Sequence, residues 1–162
     1  MNAAARVSRT QVRPVPPGVV ERWSRLHGGV GFTIADDEVH CLQALALNEA
    51  SDEVGCLLLR KLAAAKLVNR FRMPLDVVAL NCIVEFIFGD ADEARRRLVH
   101  PRAVSSGADL SVVSALGAGL IGLRVGQAVQ WPDDSGVLRC LRVLSVTYPA
   151  GSPAPIQPGE PD

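Results

Sequence analysis

From Val39 onward, apolar residues return every three or four positions: Val39, then Leu42, then Leu45 or Ala46. This is the spacing of one face of an α-helix. Thr33, followed three residues later by Asp36, resembles a capping pair at its start. Asn48 to Ser51 interrupts the pattern, and a second helical run places Val54, Leu58, Leu62, Ala65 and Val68 on one face. Asp52 and Glu53 stand in its first turn, where carboxylates favour the helix dipole. The pair predicts an αα-hairpin with an acidic turn: Glu49, Asp52 and Glu53.

Beyond Pro74 the period shortens to two. "DVVALN" and "IVEFIF" read as strand, with Val84, Phe86 and Phe88 on one face and Glu85 and Ile87 on the other. "ARRRLVHP" and "DLSVVS" predict two more strands, and "AVQW" with "LRCLRVLSVTYP" a final pair joined by the turn "PDDSG". With one short helical insertion between the third and fourth strands, the fold class is α+β with a mostly antiparallel five-stranded sheet.

That insertion contains "GAGLIG", Gly117 to Gly122, which spells the G-x-G-x-x-G of a dinucleotide cradle. Such a cradle opens a long crossover helix, which with its connections needs a dozen or more residues. Here "LRV" alone separates Gly122 from Gly126, and "AVQW" already reads as strand. The segment is instead expected to form a two-turn helix with Ser114 as N-cap, Gly117 and Gly119 pressed against strands, and Gly122 in the left-handed position that ends it.

Charge and composition narrow the function. The chain has 17 basic and 17 acidic residues among 162, and only 4% aromatics. Its basic excess sits in residues 1–31, through Arg6, Arg9, Arg13, Arg22 and Arg25. These arginines offer a contact for nucleic acid or an acidic partner, but no basic stripe marks the rest of the chain for direct sequence-specific DNA binding. The four cysteines, Cys41, Cys56, Cys82 and Cys140, form no C-x-x-C and suggest buried free thiols in a cytoplasmic protein, without metal or cofactor. No apolar run is long enough for a membrane span. His27, His40 and His100 accompany no nucleophile motif. The three arginines Arg95 to Arg97 alternate across a strand and cannot form one flat patch. Residues 1–31 and the Pro-rich 150–162 are expected to be disordered, flanking a hairpin at 32–72 and a domain at 73–149.

"PLDVVALNCIVEF", "LVHP", "DLSVVSALGAGLIGLRVGQAVQWP" and "LRVLSVTYP" together resemble the carboxy-terminal domain of the Gre transcript-cleavage factors. The likeness is nearest to the branch called regulator of nucleoside diphosphate kinase, where a short helical hairpin precedes that domain. Asn81, Ser114, Gly117, Gly119, Gly122, Gly126 and Trp131 fall on its motif positions. The family's Met-Asn-Ser appears here as Leu80-Asn81-Cys82, and its Ser-Pro-x-Gly as Ser114-Ala115-Leu116-Gly117. The resemblance implies an FKBP-like domain and, as partner, bacterial RNA polymerase, whose secondary channel admits a hairpin. In cleavage-stimulating members, acidic residues at the tip help hold a metal ion at the polymerase's active centre. A second helix of roughly 16 residues spans about 24 Å, which is expected to leave Glu49, Asp52 and Glu53 short of that metal. The expected function is therefore a non-enzymatic regulator of elongation that does not stimulate cleavage. The same three residues are equally served by plain helix-end electrostatics. A prolyl isomerase or peptide-binding module, built on Phe86, Phe88, Trp131 and Tyr148, is the alternative that the fold alone suggests.

Overall fold

A computed structural model of the chain describes residues 31–133 and 135–149, together with Gly18 and Glu21. Nearly all of the basic extension, and the whole Pro-rich tail, lie outside the described residues.

The chain enters through a short strand, β1 (Thr33–Ala35), rather than a helix cap. Thr33 donates its N–H to Gly122 O at 3.1 Å, so the expected capping pair with Asp36 is replaced by a backbone contact to the distant domain. Helices α1 (Val39–Asn48) and α2 (Asp52–Ala64) follow as the hairpin, and α2 is capped by Ser51 Oγ, which accepts from Val54 N at 3.3 Å. The second helix stops at Ala64 because Lys66–Val68 forms β2, parallel to β1, with Thr33 opposite Lys66 and Ala35 opposite Val68. Both ends of the hairpin are thus pinned side by side.

A 3₁₀ turn at Arg70–Arg72 leads to the sheet. "DVVALN" is not a regular strand: it runs mainly as turns, in which the Val78 N–H donates to Leu123 O at 2.8 Å and the Val78 carbonyl accepts from the Gly122 N–H at 3.0 Å. The ladder starts only after Asn81, whose φ of 74° turns the chain sharply. Asparagine tolerates this left-handed backbone better than most side chains do. The sheet comprises β3 (Ile83–Phe88), β4 (Ala94–Val99), β5 (Asp109–Ser111), β6 (Ala128–Pro132) and β7 (Leu138–Thr147). Its order is β5-β4-β3-β7-β6, and it is mixed: β5 runs parallel to β4, while the other neighbours are antiparallel. The parallel edge arises because a 3₁₀ turn at Pro101–Ala103 and the loop after it carry the chain back to restart alongside β4.

Alternation along β3 buries Val84 and Phe86. They join Leu98, Leu141 and Val143 from neighbouring strands and Leu42, Leu57, Leu58 and Leu62 from the hairpin in one continuous core. Each fully buried leucine contributes roughly 1.5–3 kcal/mol, so the hairpin is held by the same apolar driving force as the sheet. Among the cysteines only Cys82 is buried, whereas Cys41 and Cys140 are exposed and Cys56 is intermediate. The expectation of buried thiols fails because Cys41 and Cys140 occupy solvent-facing positions of an amphipathic helix and an alternating strand.

Helix α3 (Ala115–Leu120) forms within the glycine-rich motif, with Ser114 Oγ accepting from Gly117 N at 3.1 Å. A Cβ on Gly117 would strike the carbonyl of Ser111, and one on Gly119 would come within 2.9 Å of Leu141 and Trp131. The two glycines therefore let the helix lie directly on the sheet, at a helix-propensity cost of about 1 kcal/mol each. Gly122, at φ 89°, ends it against Phe32 and Ile34. We expect Gly117→Ala to lower unfolding free energy by about 1–3 kcal/mol and Ser114→Ala by about 1 kcal/mol in urea titrations.

Candidate functional site

The acidic turn and the seam beneath it make up the candidate site. Glu49 follows α1 as its C-cap, with its N–H on Leu45 O, and Asp52 and Glu53 open α2. The three carboxylates flank one turn, but that turn does not stand clear of the domain. Glu49 Oε2 lies 4.0 Å from Arg102 Nη2, on the connection between β4 and β5. Glu53 lines a cleft of about 250 Å³ with Ser51, Leu57, Ala115, Pro132 and Asp133. Asp133 is itself engaged, accepting from Arg139 Nε at 2.7 Å and from the N–H groups of Ser135 and Val137. Those bonds, led by the one from Arg139, hold its carboxyl below the ordinary range.

The hairpin helices meet closely at Gly55, where a Cβ would sit 2.5 Å from Ala46 O. The sequence pattern of Val54, Leu58 and Leu62 gives no warning of this contact. It also misses the residue that ties the hairpin to the sheet. Lys61, on α2, is completely buried. Its Nζ donates to Ala118 O at 2.7 Å, Gly119 O at 2.9 Å and Ile121 O at 2.7 Å. These are carbonyls at the end of α3, where a helix leaves its acceptors unmatched and its dipole favours a cation. The amine also lies 4.7 Å from the centre of the Phe32 ring and 5.1 Å from that of Trp131. Trp131 donates Nε1–H to Ala115 O at 2.6 Å, gripping the start of the same helix. Burial pushes the pKa of Lys61 well below its ordinary 10.5.

The remaining motif residues are architectural. Asn81 N–H bonds Leu98 O at 2.6 Å, Gly126 turns at φ 89°, and Ser114, Gly117, Gly119 and Gly122 shape α3. The four aromatics weighed for a peptide pocket are not gathered into one: Phe86 and Trp131 are buried in the core, and Phe88 and Tyr148 pack against it. Arg95 and Arg97 are exposed and Arg96 half-buried, as alternation on a strand requires. Among the described residues, no group of three or more His, Cys, Asp or Glu side chains is arranged to hold a metal ion, and no helix is long and apolar enough to cross a membrane.

A second acidic feature lies at the foot of α1. Glu38 is only 6% exposed, with Oε2 3.3 Å from Arg70 Nη2 and Oε1 without a hydrogen-bond partner. Arg70 makes its stronger, two-pronged contact with Asp37, at 2.6 and 3.2 Å.

A mixed sheet carrying one glycine-rich helix, with a short hairpin sharing its core, defines an α+β domain with a helical arm. Residues 73–148 match the family "Transcription elongation factor, GreA/GreB, C-term". The regulators of nucleoside diphosphate kinase of Escherichia coli K12 and of Shigella flexneri are each 38% identical over 90 residues, which is 54% of this chain and 66% of theirs. The matched region thus spans about two thirds of the length of those relatives. A solved prokaryotic transcription elongation factor GreA/GreB from Nitrosomonas europaea is 28% identical, with a TM-score of 0.57 over 73% of this chain and 98% of its own. The chain belongs to the Gre superfamily, as a divergent member of the regulator of nucleoside diphosphate kinase type.

Because three carbonyls and two rings converge on Lys61, its loss leaves buried acceptors unsatisfied. Lys61→Ala is expected to lower unfolding free energy by about 3–5 kcal/mol in urea titration. Lys61→Arg cannot place three donors at one point and is expected to destabilise as well.

Proposed function

We propose that this chain is a non-enzymatic transcription regulator that binds bacterial RNA polymerase near its secondary channel and modulates elongation without stimulating transcript cleavage. The reading rests on membership of the elongation-factor superfamily, and a single observation carries its second half: the hairpin is short and folded down. Helices of 10 and 13 residues measure about 15 and 20 Å. Leu42, Leu45, Leu57, Leu58 and Leu62 are all in the core, so little of either helix projects. Carboxylates suit a hard cation such as Mg²⁺, but Glu49 beside Arg102 and Glu53 at the cleft are poorly placed to be carried deep into a channel.

On this reading residues 32–72 form the polymerase-facing hairpin, and residues 73–149 the docking domain, read as FKBP-like in architecture without isomerase activity. Glu49, Asp52 and Glu53 then serve partner contact rather than chemistry, the arginines before residue 31 supply a weak contact to nucleic acid or an acidic partner, and the protein works in the cytoplasm without a cofactor.

Two measurements test this. Added to backtracked elongation complexes, the protein should alter pausing or elongation rate and leave RNA length unchanged; rapid RNA shortening would overturn the proposal. In co-purification with core RNA polymerase the wild type should be retained, and the triple variant Glu49→Ala, Asp52→Ala, Glu53→Ala should bind at least about tenfold more weakly, near 1.4 kcal/mol. Retention of neither protein removes the polymerase reading, whereas equal retention of both removes the role given to the three carboxylates.

A further inference from the structure

The foot of the hairpin holds a charged group that neither the core nor the proposed polymerase contact requires. Glu38 sits between β1 and α1, and its side chain points into the seam against the domain. The small cavity it lines is closed by Ala35 from β1, Arg70 from the linking turn, Met73 and Ala79 from the approach to β3, and Tyr148 from the end of β7. The first foot of the hairpin, the linking turn and the approach to β3 therefore meet at this carboxyl. The cavity measures about 10 Å³, room for no more than one water-sized group.

Charge is poorly compensated there. Arg70 touches one Glu38 oxygen at 3.3 Å but gives two shorter bonds to Asp37. The other Glu38 oxygen is buried without a partner. A buried carboxylate in this state suffers most of the desolvation cost and recovers little of it. Protonation removes the charge.

We propose that Glu38, Arg70 and the surrounding seam form a proton-gated clasp: the first hairpin helix is held firmly to the domain while the Glu38 carboxyl is protonated, and the hold loosens when it ionises. This inference does not depend on the partner assigned above.

The electrostatics of the neighbours place the transition near neutrality. Burial, assisted by Asp37 and opposed by Arg70 and by the backbone N–H of Leu80, raises Glu38 from 4.5 to about 7. Two further groups at the seam are moved away from neutrality: burial pushes the Cys82 thiol up to about 11 and the Tyr148 hydroxyl higher still, and Tyr148 donates to Val77 O at 3.0 Å. The charge of Asp76 adds to the rise at Tyr148. The docked form thus binds the Glu38 proton more tightly than the released form does. Docking is strongest below pH 4.5 and weakens as pH rises through about 7.

Hydrogen exchange on the full chain, corrected for intrinsic rates, reads this directly. A Glu38 that titrates as above predicts that protection of α1 and of Arg70–Arg72, relative to β3, falls about 70-fold between pH 5 and 8. His40→Gln serves as background for every measurement, so that no imidazole on α1 enters the comparison. Glu38→Gln should make the ratio flat with pH. Unchanged protection in the wild type, an equal loss in β3, or the same pH profile in Glu38→Gln would each overturn the clasp. Should Glu38→Gln fail to fold, the carboxyl carbon resonance of Glu38 still decides: a midpoint near 7 supports the clasp, and one near 4.5 ends it.

Discussion

Three backbone carbonyls at the end of α3 converge on a single point, and the amine of Lys61 occupies it. An ammonium has three donors, and the cage offers three acceptors. The residues around it follow from that requirement. Glycines at 117 and 119 let α3 lie flat enough on the sheet to present its end. Trp131 fixes the start of the helix through Ala115 O and turns its ring toward the amine, while Phe32 closes the other side. The donor and its acceptors are 57 to 60 residues apart in sequence, so the contact ties α2 to the domain across a long stretch of chain.

The carboxylates illustrate how environment decides the role of a residue type. Half-buried Asp109 and Asp133 gather N–H donors, chiefly from Ser105 and Arg139 respectively, and are held ionised below the usual range. They tie down the loops that carry them. Glu38 lies in the protein interior with one oxygen unmatched and is shifted the other way. Asp52 and Glu53 of the hairpin turn differ again, placed at a helix start where the dipole favours them without burial of the whole group.

Much of this was legible in the order of residues. Amphipathic spacing located both helices, alternation located Ile83–Phe88, and counting residues after Gly122 ruled out a nucleotide cradle in favour of the small capped helix. Periodicity failed where backbone geometry overrides it. Val77 and Val78 are buried like strand residues, yet Asn81 at φ 74° delays the ladder. A three-residue strand such as β1 is too short to display any period, and the parallel pairing of β5 depends on a loop path that local pattern does not encode. Lys61 was hidden for a different reason. A lysine between Leu58 and Leu62 reads as the polar flank of an amphipathic helix, and only the carbonyl cage from a distant segment makes it interior. Glu38 was hidden likewise, since its burial comes from Met73, Ala79 and Tyr148 rather than from its own helix.

The parallel pairing of β1 with β2 has an architectural consequence. Since Thr33–Ala35 and Lys66–Val68 leave the domain side by side, the 30 residues between them form a closed excursion whose feet are fixed independently of its reach. Matched insertions in α1 and α2 beyond Ala46 and Gly55 would push the turn outward while the feet, the lysine cage and the sheet stayed where they are. Arm length is therefore a separable variable of this architecture, open to change by insertion alone.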